Sequence, residues 1–264
     1  FKANGYTTRC VGKIFHNWHT KDKGDARAWS APEFLHYANH GDDRAEGADG
    51  AVNHSSVKDR RYGGTCLCEA LDVPDEAYYD GRVAREAIRV LGEVKDEPFF
   101  LAVGFWKPHA PFNAPKRYWD LYPPEAFSEF DGRRPTGAPE EAFHQSTEIL
   151  GPPAQARIPS REEAAEMRRG YFANITYMDA QVGKVLDALE RSGKAQSTMV
   201  VFLSDHGYHI GEHTLWGKTS NFELDARVPC YMRVPWMTNV GSRTGSLAEL
   251  VDVFPTVARA VGLG

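Results

Sequence analysis

The sequence is short of most features that would assign it at once. Its four cysteines, Cys10, Cys66, Cys68 and Cys230, never fall in a C-x-x-C spacing, so the common structural-zinc and dithiol redox motifs are unsupported. No basic run or stripe offsets a formal net charge of −5 and a pI near 6.1, which argues against bulk binding to nucleic acid or an anionic membrane. No apolar run is longer than a strand, far below the roughly 20 residues that span a bilayer. An initiator methionine is missing as well. The chain opens on Phe1, with neither signal peptide nor capping element before FKANGYTTRC, and further polypeptide is expected ahead of it. At the other end, LVDVFPTVARAVGLG reads as a helix entered through Asp252 with Pro255 in its first turn, and more sequence is expected there too.

What is present is ordinary for a folded protein. The 264 residues, 42% hydrophobic and 25% charged, can bury a sizeable core, and residues 1–264 read as a single domain incomplete at its ends. The chemistry concentrates in TMVVFLSDHGYHIGEHTLWGK, residues 198–218. Met199–Leu203 is long enough for a strand buried on both faces and too short for a helix. Asp205, His206 and Gly207 follow immediately, placing a carboxylate and an imidazole where open α/β sheets hold their ligands. A hard cation suits that pair. Asp-His-Gly is equally a tight turn, with Asp capping and Gly supplying a positive φ. The density of His209, Glu212, His213 and Lys218, interleaved with Gly207, Gly211 and Gly217, favours a compact functional loop, although His209 and His213 individually read better as solvated.

The rest of the chain alternates helix and strand. Asn4-Gly5 is a turn, and Tyr6–Val11 is a short strand or helix end. Lys13 and His16 then sit three residues apart, a spacing at which both face one site from a helical turn. Residues 17–65 are polar and aperiodic, an irregular excursion pinned by Trp18, Trp29, Phe34 and Tyr37. Cys66 and Cys68, if on a strand, point to opposite faces. Val83, Ala87, Leu91 and Val94 mark one face of a helix over Asp75–Val94. FFLAVGF is a second buried strand, and Trp106, Lys107, Pro108 and His109 follow it. Two neighbouring parallel strands would thus converge on one cleft, with Pro108 and Pro111 fixing the backbone around His109. Residues 115–159 are a proline-rich loop or lid. Glu162–Ser192 is a long helix whose stripe of Met167, Tyr171, Ile175, Met178, Val182, Val185, Leu186 and Leu189 is core, with Gly193 as its stop. Val228–Val234 offers one more strand. The pattern is α/β, a mostly parallel sheet covered by helices on both faces.

GYTTRCVGKIFH, PFFLAVGFWKPHAPFNAPKRYWDLYP, YFANITYMDAQVGKVLDALE and VVFLSDHGYHIGEHTLWGKTSNFELDARVP occur here in an order similar to that of type I sulfatases, of the alkaline-phosphatase-like superfamily, and resemble the iduronate-2-sulfatase branch most. The resemblance runs from Gly5 to about Pro229. It implies a sulfuric ester hydrolase of alkaline-phosphatase/sulfatase-like fold, acting on a sulfated carbohydrate or another sulfate ester, with no nucleic-acid or membrane partner. It implies Ca2+ or Mg2+ at Asp205 and His206. Lys13, His16, His109 and Lys218 would hold the sulfate and shuttle protons, and Tyr208 would line the substrate cleft. Family members use a formylglycine made from the Cys of C-x-P-S-R, whereas Cys10, Cys66, Cys68 and Cys230 are followed by VGK, LCE, EAL and YMR. That nucleophile and two further metal-site aspartates are expected upstream of residue 1, and this chain alone is expected to be inactive. A periplasmic, secreted or lysosomal location goes with the resemblance. A phosphatase or phosphodiesterase of the same superfamily and a non-catalytic binder of sulfated ligands are the competing expectations.

Overall fold

The computed structural model describes residues 1–16, 25–34, 68–94, 96–127, 131–144, 147–150 and 158–263. The expectations on Trp18, Tyr37 and Cys66 lie outside these. In chain order the elements are β1 (Thr7–Gly12), β2 (Cys68–Leu71), α1 (Tyr79–Val94), β3 (Phe99–Gly104), β4 (Phe112–Pro115), α2 (Lys116–Trp119), α3 (Thr147–Leu150) and α4 (Arg161–Arg191). They continue with β5 (Val200–Leu203), β6 (His209–Ile210), β7 (Trp216–Gly217), α5 (Glu223–Ala226), β8 (Cys230–Arg233) and α6 (Val253–Ala260). Among the described residues the strands form four pairs: β1–β3 and β2–β4 parallel, β5–β8 and β6–β7 antiparallel. The fold is α/β.

Helix α1 buries the face read from its periodicity. Val83, Ala87, Val90 and Val94 pack with Tyr79, Val11 and Trp106, closing over the inner side of β1 and β3. A 3-10 turn, Asp75–Ala77, precedes it. Helix α4 begins at a capping box in which Glu163 N–H donates to Ser160 Oγ at 3.3 Å and Ser160 N–H donates to Glu163 Oε2 at 2.8 Å. Its stripe departs from the expected one. Met167 and Leu189 are buried, but Ile175 and Leu186 are 37% and 41% exposed, and the buried face carries Asn174, Tyr177 and Gln181 instead. Polar docking explains the exchange: Tyr177 Oη donates to Asp75 O at 2.9 Å and Gln181 Nε2 donates to Asp75 Oδ2 at 3.1 Å.

Two strand expectations are corrected. β5 is only half-buried, with Leu203 39% exposed, and it pairs antiparallel with β8 instead of lying fully enclosed. β3 takes β1 as its parallel partner, and among the described residues β3 and β5 do not pair, although Phe99, Leu101 and Val200 pack on the same cluster. The proline-rich stretch is not all loop either. It holds α2, two 3-10 turns and α3, and α3 is anchored by Ile149 and Leu150 in a cluster with Phe112, Met167, Ile210 and Trp216. No helix among the described residues is long and apolar enough to cross a membrane.

Candidate active site

Lys13 leaves the end of β1 under tight constraint. Its N–H donates to Gly104 O at 2.8 Å, and a Cβ on Gly104 would lie 1.9 Å from Lys13 O, so only glycine lets this backbone cross the end of β3. Residues 13–16 are not helical, contrary to the spacing argument, yet Lys13 and His16 still act on each other electrostatically.

The segment carrying His109 is braced from below. Asp80, on the first turn of α1, is fully buried and accepts from Trp106 N at 2.7 Å and Lys107 N at 2.9 Å; burial pushes its carboxyl up to about 6. Lys107 Nζ donates to Pro111 O at 2.6 Å and to Asn113 Oδ1, and burial pushes its ammonium down to about 7. Lys107 is therefore a cross-tie inside the loop. His109 emerges beside it, its ring edge-on to Trp106 at 4.9 Å and its Nδ1–H donating to Ala110 O at 2.7 Å.

The third arm is the segment 205–218. Gly207 does not take a positive φ; its requirement is closeness, since a Cβ there would lie 1.8 Å from Leu224 O while its N–H donates to Asp225 O at 2.8 Å. β6 and β7 turn the glycine-rich stretch into a hairpin. His209 is completely buried, Nδ1 meeting Asp225 Oδ1 at 2.9 Å, and Asp225 Oδ2 accepts from Ser220 N and Oγ, both at 2.7 Å. His209 is thus neither solvated nor part of the cleft: it braces the turn that presents Lys218. His213 joins this brace, with Nδ1 3.4 Å from His209 Nε2 and its ring 4.6 Å from that of Phe222.

These arms meet. Lys13 Nζ lies 3.6 Å from Asp205 Oδ2 and 5.7 Å from the Trp106 ring centre, and His206 Nε2 lies 3.7 Å from the same Asp205 oxygen. Lys218 Nζ is 2.8 Å from Glu148 Oε2, Tyr208 Oη donates to Glu148 Oε1 at 2.9 Å, and His109 Nε2 is 3.3 Å from that Oε1. His16 links the two groups. Burial lowers its pKa, Lys13 and Lys218 lower it further, and Asp205 and Glu148 oppose them. Lys13, His16, His109, Asp205, His206, Tyr208 and Lys218 thus share one cluster. Glu148, on α3, is the member that sequence reasoning missed. Its only signal is the Ile149-Leu150 pair after it, which marks a buried turn inside an otherwise aperiodic stretch.

Burial pushes His109 down to about 4, so the ring is neutral near pH 7 and its Nε2 cannot donate to Glu148. Burial would raise Glu148, but charge from the opposing side holds it below its usual range; with His109 neutral, the Lys218 ammonium is the partner responsible. The sign for stability follows. A folded-state value below the ordinary 6.5 means that the unfolded chain binds the extra proton, so this contribution is complete above about 6.5 and is lost as pH falls toward about 4. The wild-type Tm should fall across that window by more than the Tm of His109→Gln. Parallel curves for the two proteins would show that the ring is solvated.

The donors at Asp205 and His206 fit part of a cation site. His206 Nδ1–H donates to Gly207 O at 2.8 Å, which turns Nε2 toward the Asp205 carboxylate. A hard divalent ion wants about six or more ligands. Among the described residues no group of three or more His, Cys, Asp or Glu side chains gathers to supply them.

Lysines, imidazoles and a carboxylate–imidazole pair thus gather in one place in an α/β protein. The chain belongs to the sulfatase family: the family profile, described as Sulfatase, matches residues 1–263. Iduronate 2-sulfatase of Mus musculus is 34% identical over 306 residues, covering 100% of this chain and 53% of that protein. A putative sulfatase from Bacteroides fragilis has a solved structure with TM-score 0.55 at 26% identity, covering 70% of this chain and 37% of the other. The phosphonate monoester hydrolase of Agrobacterium radiobacter shares the fold, with TM-score 0.60 at 20% identity over 89% of this chain and 51% of that one. The chain therefore spans about half the length of the iduronate 2-sulfatases it matches.

Proposed function

We propose that the protein is a sulfuric ester hydrolase acting on a sulfated sugar or polysaccharide. The observation that carries this reading is the convergence of Lys13, His16, His109, Asp205, His206 and Lys218, drawn from residues 13 to 218 of a sulfatase-family chain, on one cluster. The name of the mouse relative favours a sulfated sugar over a simple aryl ester as the natural substrate. A compartment outside the cytoplasm, whether periplasmic, secreted or lysosomal, goes with the proposal.

Lys13 and Lys218 bind the sulfuryl oxygens and oppose the charge that grows on them as the ester bond breaks. Asp205 and His206 would hold Ca2+ or Mg2+, which when bound supplies Lewis-acid stabilisation of the sulfuryl group. Tyr208 orients Glu148 and presents its ring beside Lys218, 5.8 Å from Nζ to ring centre. Burial keeps His109 neutral before substrate arrives, and partial burial with the Lys13 and Lys218 charges lowers the proton affinity of His16. A bound sulfate ester adds negative charge beside them and raises their proton affinity, preparing one imidazole to protonate the departing alkoxide. The proposed nucleophile is a formylglycine, whose C-x-P-S-R precursor is not in these 264 residues, so turnover is assigned to the longer protein and not to this chain alone.

The test is hydrolysis of 4-nitrophenyl sulfate by the longer protein. Turnover that disappears in Asp205→Ala, with Tm preserved, is the expected result. Undiminished turnover in that variant would remove Asp205 from the site and the proposal with it.

A further inference from the structure

Glu148 is a carboxylate among the cations of a site assigned to an anion. It is held there firmly, because the next two side chains, Ile149 and Leu150, are buried against Phe112, Met167 and Trp216. Its oxygens are engaged by groups of the site, Oε1 by Tyr208 Oη at 2.9 Å and Oε2 by Lys218 Nζ at 2.8 Å, and His109 Nε2 lies 3.3 Å from Oε1. No proposed step uses it, and its charge works against binding any anion. A group that opposes binding is informative when ligands differ in charge.

We infer that Glu148 is a specificity-determining residue that sets the charge the site accepts, favouring a monoanionic sulfate ester over dianions of the same shape. The inference rests on the sulfate-ester reading above. A sulfate monoester carries one negative charge at neutral pH. Inorganic sulfate, the product, carries two, and a phosphate monoester carries about 1.5 to 2. Within the cluster each lysine faces one carboxylate, Lys13 with Asp205 and Lys218 with Glu148. Lys218 and Glu148 form the half-buried pair, with 17% and 18% of their side chains exposed, whereas the Asp205 side chain is 63% exposed and better screened by water. Each additional ligand charge meets Glu148 once more. At the effective dielectric of about 20 that suits such sites, a unit charge about 8 Å away changes affinity by more than about tenfold. The same repulsion eases release of dianionic sulfate after the ester bond is broken.

The experiment uses the longer protein in its active form and measures, for wild type and each variant, KM for 4-nitrophenyl sulfate, Ki for inorganic sulfate, and kcat/KM for 4-nitrophenyl phosphate. Glu148→Gln is expected to lower the ratio of Ki to KM about tenfold and to raise the phosphate-to-sulfate ratio of kcat/KM by a similar factor. Glu148→Asp, which keeps the charge, should hold both ratios near wild type. Because each ratio is taken within one protein, partial loss of folded material leaves it unchanged, and Glu148→Ala provides the neutral comparison if the Gln variant does not fold. Ratios that stay at the wild-type value in the neutral variants would overturn the inference and leave the sulfate-ester reading standing. A wild type that turns over no sulfate ester would overturn that reading, and this inference with it.

Discussion

Replacing Lys218 by alanine in the longer protein is expected to lower kcat/KM for a sulfate ester by about two to three orders of magnitude, equivalent to about 2.7 to 4 kcal/mol of transition-state stabilisation. The size follows from placement. Lys218 is mostly withdrawn from water, its ammonium lies against Tyr208 and Glu148, and its backbone turn is fixed by the buried His209–Asp225–Ser220 bonds. A pre-positioned positive charge in such a setting acts on developing anionic charge without reorganisation. His213→Ala, five residues earlier on the same hairpin, should behave differently. The ring and bonding partners of His213 are Phe222 and His209, not the lysines and imidazoles assigned to the sulfate. Its loss should cost about 0.5 to 1.5 kcal/mol of stability and leave kcat/KM nearly unchanged. Steady-state kinetics with Tm measured alongside separate the two, and an equal or larger fall in kcat/KM for His213→Ala would show that the hairpin is assigned wrongly.

Asp75→Ala is expected to cause the largest loss of stability, about 3 kcal/mol. Asp75 is buried and gathers four side chains from two later elements: Arg117, Tyr118 at 3.0 Å, Gln181 at 3.1 Å and Lys184 at 2.7 Å. Removing the carboxylate takes the acceptor of Tyr118 Oη and one of the two acceptors of Gln181 Nε2, which keeps Tyr177 O at 3.0 Å. The half-exposed Arg117 and Lys184 can rehydrate, which keeps the cost near the lower end of the range for broken buried pairs. Denaturant unfolding measures the difference directly. A change under about 1 kcal/mol would mean that α4 docks by its apolar contacts alone.

Local signals made much of this legible. Val83, Ala87, Leu91 and Val94 announced α1, the spacing of Met167 and Leu189 with Gly193 beyond them announced the long helix α4, and charged residues following apolar runs marked Asp205 and His109 as the ends of strands. What escaped were pairings between distant residues. The bond between His209 and Asp225 joins side chains sixteen positions apart, and no periodicity reports it. Gln181 and Asn174 interrupt the apolar stripe of α4 because their partners, Asp75 and Pro111, come from segments far upstream. Glu148 lay hidden for a related reason: its stretch has no period, and only the three-dimensional approach of α3 to β7 sets its carboxylate beside Lys218. Antiparallel pairing of β5 with β8 was likewise invisible, since a run of apolar residues looks the same in either type of sheet.

The most direct measurement of the central claim is kcat/KM of the longer protein for 4-nitrophenyl sulfate and 4-nitrophenyl phosphate under identical conditions. A site whose two lysines are each matched by a carboxylate should favour the sulfate ester by at least about tenfold. A preference for the phosphate ester would contradict the assignment of this cluster to sulfate-ester hydrolysis.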